Sequence, residues 1–168
     1  MSKSALTLYL AFACIITSPF AKAACELEQH TQFDFWLGIW RVTLADGTHA
    51  GDNTIEKIQN GCALRESWAS ARSGFTGTSV NFFNQSSGMW EQIWVDNQGS
   101  SLHLNGGRSE NQMILSSEPA MDDAGNQVVN QITWTRNDDG TVRQEWLSKT
   151  QGQDDKVLFD GIYTLVDE

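Results

Sequence analysis

The sequence predicts an all-β fold, an antiparallel meander of about ten strands closed into a barrel. Three observations carry this. Turn signals built from Gly, Asn and Asp recur at short intervals, and those residues tolerate the positive φ that hairpin turns require. The runs between them are rich in Val, Ile, Thr, Phe and Trp, which suit a pleated, half-buried surface. A flat meander of that length exposes two edges, and closure removes both.

The chain opens MSKSALTLYLAFACIITSPFAKAAC. Lys3 supplies a positive n-region. The apolar run over 5–17 has signal-peptide length and is too short to span a bilayer, and Ala21-Lys22-Ala23 is a small-x-small cleavage site. Residues 1–23 are therefore expected to be a signal peptide, and 24–168 the mature domain, periplasmic or secreted. A lipoprotein signal also ends before a cysteine, but Lys22 stands where it takes a Leu-like residue. Cys14 leaves with the leader. Cys25 and Cys62 then remain, and in an oxidising compartment they read as one disulfide tying the N-terminal segment to the start of a strand.

Residues 24–32 are a polar lead-in, a short helical turn plugging one end. The strands follow at 37–45, 50–59, 62–70, 76–84, 89–96, 100–105, 111–118, 127–136, 141–149 and 157–166. The turns between them include Asp46-Gly47, Asn60-Gly61, Asn105 to Arg108 and Pro119 to Gly125. Pro119 falls within a turn, so no strand is interrupted by proline.

The net charge is −10, and the leader holds two lysines and no acidic residue, so the mature chain is more acidic still. Nucleic acid is not an expected partner, nor is an anionic lipid surface. No segment of the mature chain is apolar enough to span a membrane.

Three strands repeat one pattern, a polar side chain two residues before an indole: Glu66-x-Trp68, Gln92-x-Trp94 and Gln144-x-Trp146. Alternate residues share a strand face. If those faces point inward, an aromatic wall carries a few fixed hydrogen-bonding groups, the usual make-up of a small-molecule site. Trp90, Trp134 and Asn81 join this ligand-binding set. A solid barrel core would use the same tryptophans, though each buried polar group would then need a partner. In a third arrangement the faces point outward, Leu64, Ile93 and Val142 line the interior, and exposed tryptophans bind a protein partner.

Catalytic signals are sparse. Glu66 is the candidate general base of a cofactor-free isomerase, lyase or hydrolase, its pKa raised by burial near Trp68. His30, His49 and His103 show no metal-ligand spacing, and no nucleophile elbow or phosphate loop occurs. No cofactor and no metal are expected.

The stretch Phe33-Asp34-Phe35-Trp36-Leu37-Gly38-Ile39-Trp40 contains a G-x-W that looks like the opening of lipocalins and wider calycin barrels. In the longer FDFWLGxW form it resembles a largely uncharacterised family of secreted bacterial proteins with a lipocalin-like barrel. Gly61-Cys62, Glu66-Ser67-Trp68, Ser79-Val80-Asn81, Gln92 to Asp96 and Phe159 to Tyr163 extend the resemblance. It implies a 3₁₀ turn over 33–36, with Gly38 and Trp40 packing across the closed end. Lipocalins often stack an arginine on that Trp, and Arg143 is the candidate here. The resemblance transfers no activity. Nitrobindin-like haem barrels also have ten strands, but their C-terminal iron-binding histidine has no counterpart after His103.

Overall fold

A computed structural model describes residues 25–166; the expected signal peptide lies outside them. Strand β1 (Gly38–Leu44) is followed by β2 (His49–Ile58), β3 (Ala63–Ser70), β4 (Thr76–Asn84), β5 (Met89–Asp96) and β6 (Ser101–Ser109). Then come β7 (Gln112–Ser116), β8 (Ala120–Met121), β9 (Gln127–Arg136), β10 (Val142–Thr150) and β11 (Lys156–Leu165). Each strand pairs antiparallel with the next around the ring, β7 passing directly to β9, and β11 returns to β1. The result is a closed barrel of ten strands. The two-residue β8 is extra: it pairs with the start of β9, beyond the segment that β7 covers.

Two turns differ from the sequence reading. Asn105 to Arg108 is not a turn but the second half of β6, paired with Trp90 and Glu91 on one side and Met113 to Ser116 on the other. Gly106 serves close approach there, since a Cβ would fall 2.1 Å from the Ile114 carbonyl oxygen. The chain turns instead at Glu110, whose φ is +53°. The segment 119–125 is likewise partly strand, because β8 sits inside it.

Side chains alternate in and out along the strands. In β3, Leu64 and Glu66 are buried while Arg65 and Ser67 are exposed. The connections of an antiparallel barrel alternate between its two ends, so inward residues sort by depth. Two 3₁₀ turns, Glu28–His30 and Asp34–Trp36, close one end. Phe33 and Trp36 from this lead-in meet Trp40, Trp90, Trp134 and Tyr163, all essentially buried. Phe33 stacks on Trp36 with centroids 5.0 Å apart, and Trp134 lies 5.1 Å from Phe33 and 5.2 Å from Trp36. Trp40 Nε1 donates to the Trp36 carbonyl at 2.9 Å. Gly38 has φ +140°, and a Cβ there would lie 2.5 Å from Leu165 Cδ2.

Arg143 does not stack on Trp40. It points outward, with Nε and Nη2 each 2.8 Å from Asp160, and Nη2 is 2.7 Å from Glu145. The Tyr163 ring lies edge-on to Trp40 instead, with centroids 6.2 Å apart. The closed end does carry an arginine, Arg108, over the Phe35 ring at 5.1 Å and bonded to the Gln32 carbonyl. Cys25 and Cys62 form the disulfide, fastening the lead-in to the residue before β3.

Candidate functional site

The opposite end of the barrel is open. A cavity of about 580 Å³ runs in from it. Its rim comes from the β3–β4 loop (Arg72, Ser73, Phe75), from Asp96, and from Val157 and Leu158 of β11. Its wall carries Trp68, Trp94, Trp146, Leu102, Ile132 and Phe159, and its inner part Glu66, Gln92, Gln144 and Tyr163.

All three polar-x-indole pairs therefore face the cavity. Trp90 and Trp134 do not: they lie deeper, in the closed-end cluster. Asn81 faces inward beneath the cavity lining, fully buried and bonded to Ser79. The outward arrangement fails on parity. Leu64 and Val142 share their strand faces with Glu66 and Gln144 and are themselves buried, while Ile93 is the outward residue, 45 % exposed. The tryptophans are not an outer surface.

What holds the wall open is a set of glycines. Each sits on an inner face where a neighbouring aromatic ring lies flat. A Cβ on Gly77 would lie 2.0 Å from the Trp94 ring, one on Gly51 2.6 Å from Trp68, and one on Gly161 2.7 Å from Phe159. The rings are thus laid along the barrel wall rather than across its lumen. Gly77→Ala is expected to push Trp94 inward, with an overpacking cost of about 1–3 kcal/mol. A shifted tryptophan emission and a lower urea midpoint check this. Gly74→Ala, whose Cβ meets nothing within 4 Å, is the control that leaves both unchanged.

Beneath the rings, a hydrogen-bond network links β10, β11, β2, β3, β4 and β5. Gln92 Nε2 donates to Asn81 Oδ1 at 2.8 Å, Asn81 Nδ2 to Ser79 Oγ at 2.9 Å, and Ser79 Oγ to Glu66 Oε2 at 2.6 Å. From the other side Asn53 Nδ2 donates to Glu66 Oε1 at 2.8 Å and to Tyr163 OH at 3.3 Å, and Tyr163 OH donates to Gln144 Oε1. The donors converge on one carboxylate. Hydrogen bonds of this polarity favour its ionised form. Burial opposes them and is the larger effect, so the Glu66 carboxyl is pushed above the usual carboxylate range. Burial, and then the nearby Glu66 charge, also push the Tyr163 phenol well up, so it remains a donor.

A raised native pKa means that the folded state binds the Glu66 proton more tightly than the unfolded chain. Its contribution to stability is then lost as pH rises from about 4.3, where an unfolded Glu titrates, through the higher native value. Glu66→Gln removes this dependence. The stability of the wild-type protein relative to the variant is expected to fall with rising pH across that window, read by urea melts of both. Asp46, Asp122, Asp139 and Asp160, whose pKa values are lowered, act in the opposite sense but are common to both proteins and cancel.

Sequence reasoning missed Asn53, Ser79 and Tyr163 as parts of this network, and Gly51, Gly77 and Gly161 as supports of the wall. The available signals were polar residues at inward parity and glycines inside strands. The histidines lie elsewhere. His49 and His103 bond Asp52 and Glu91 outside the barrel, and His30 is buried edge-on to Phe83. Among the described residues no three His, Cys, Asp or Glu side chains cluster as metal ligands, and no helix is long and apolar enough to cross a membrane. No protein-family model matches the chain, and no curated protein is significantly similar to it in sequence.

Proposed function

We propose that this protein binds a small, partly apolar molecule in the open-ended cavity, as an exported barrel of lipocalin-like, calycin type. One observation carries the binding reading: an aromatic wall held off the lumen by glycines, above a floor of hydrogen-bonding groups already fixed by one another. Such a site needs little reorganisation to take a ligand. The signal-peptide reading of residues 1–23, the disulfide and the FDFWLGxW opening support export and the lipocalin-like assignment.

Native mass spectrometry on protein made from the full-length gene in an exporting host tests both parts. The expected result is a chain beginning at Ala24, lighter by the two hydrogens of the disulfide, carrying an adduct that denaturation removes. A retained leader with reduced cysteines overturns export. Bare protein that also shows no saturable uptake of neutral N-phenylnaphthylamine overturns the binding reading.

A second reading, a cofactor-free isomerase, lyase or hydrolase with Glu66 as general base, is favoured by the elevated pKa of a buried carboxyl on the cavity wall. Glu66→Gln separates the two. A general base loses turnover by roughly 10²–10⁴, whereas a carried ligand keeps its affinity within about tenfold. This applies to a neutral ligand.

A further inference from the structure

Glu66 is a carboxylate at the inner end of the cavity with no cation to answer it. Its partners are an amide and a hydroxyl, and no lysine, arginine or histidine is within salt-bridge distance among the described residues. The other charges of the cavity do not correct this. Arg72 is a rim residue, Asp96 adds a second acidic group there, and Asp160 is already held by Arg143 on the outer side. The chain as a whole is strongly acidic, so the potential in the cleft favours a cation. The surrounding wall presents indole and phenyl faces from Trp68, Trp94, Trp146 and Phe159, the surfaces against which organic cations bind well. The network below is also one-directional. Gln92, Asn81 and Ser79 hand their donors toward Glu66, which keeps the carboxylate an acceptor and leaves the Gln92 carbonyl oxygen without a partner among the described residues.

We propose that the ligand of this cavity is a small aromatic or aliphatic amine, bound in its ammonium form with the nitrogen on Glu66 and Gln92 and the apolar body between the tryptophans. The proposal rests on the small-molecule reading above and deepens it. A bound ammonium favours the ionised form of Glu66 and answers its charge, whereas a neutral ligand supplies no countercharge and an anionic one adds repulsion. An ammonium answers the charge where the barrel itself supplies none.

Isothermal titration of three near-isosteric probes at neutral pH decides it: phenethylamine, phenethyl alcohol and phenylacetate. Phenethylamine is expected to bind tighter than the alcohol by about tenfold or more, as a charge-assisted hydrogen bond in a screened site provides. Phenylacetate is expected to bind weakest. In Glu66→Gln the amine and the alcohol should come within about threefold of each other. Equal or tighter binding of the alcohol or of phenylacetate overturns the amine assignment while leaving the cavity reading standing. So does an amine preference that survives Glu66→Gln. If none of the three binds at millimolar concentration the amine assignment falls, and if N-phenylnaphthylamine also fails to enter, the cavity reading falls with it. Should Glu66→Gln not fold, the ranking of the three probes on the wild-type protein decides alone.

Discussion

Trp134→Ala is expected to destabilise the protein by about 3–5 kcal/mol, a fall of roughly 10–15 °C in Tm for a chain of this size. Trp134 is wholly buried among Phe33, Trp36 and Met113 at the closed end. Its indole nitrogen has no hydrogen-bond partner among the described residues, so truncation breaks no polar contact. The cost is contact and cavity alone. It should be large because the rings around it come from both the 3₁₀ lead-in and the strands and cannot easily close the gap together. Urea melts measure it. A loss under about 1 kcal/mol would mean that the plug is loosely packed and collapses into the space. Because Trp134 is absent from the cavity wall, the same variant should bind the phenethylamine probe within about twofold of the wild-type protein, provided it is folded at the assay temperature. Trp146→Ala, on the wall, is the contrasting case and should weaken it.

The contrast shows what strand alternation conveys. Trp90 and Trp94 stand on the same face of β5, and the sequence assigns both to one wall. They are four residues apart, about 13 Å along the strand. That distance separates a ring buried in the plug from a ring on the cavity wall. Period two reports inside against outside and says nothing of depth, which depends on where the lead-in folds back to fill the barrel. The same limit applies to Trp134 and Trp146, which come from neighbouring strands and lie at different depths. Strand positions were largely legible because Gly, Asn and Asp mark the turns. Asn105 to Arg108 misled for the same reason: Gly106 is present for close approach of the Ile114 backbone, and a glycine needed for space reads like a glycine needed for φ.

Glu66, Gln92 and Gln144 were legible as polar residues beside indoles. Their partners were not. Asn53 and Tyr163 are 110 residues apart yet share a hydrogen bond, because β11 and β2 flank β1 once the barrel closes. Closure is a non-local event, and the pairing of the last strand with the first leaves no local mark. The polar network is therefore a product of topology as much as of composition.

Removing the Cys25–Cys62 bond is expected to cost about 4 kcal/mol. The two cysteines are 37 residues apart, and a closed loop of that length removes this much conformational freedom from the unfolded chain in the entropy model. The native barrel has little reason to change. The lead-in is also held by Lys57 on Asp34 at 2.6 Å, by Trp90 Nε1 on the Gln29 carbonyl at 3.1 Å, and by Arg108 on the Gln32 carbonyl at 2.6 Å. Phe33 and Trp36 should therefore stay in place in a Cys25→Ser, Cys62→Ser double variant. The disulfide lies at the closed end, so probe binding at the open end should be unchanged. Urea unfolding of the two proteins distinguishes the causes. If the effect acts on the unfolded state, the variant unfolds at lower urea with a steeper slope, since its unfolded chain exposes more surface. If instead near-ultraviolet circular dichroism of the folded variant loses the tryptophan signal, the bond holds the plug itself. The other ties of the lead-in would then be too weak to seat Phe33 and Trp36 without it.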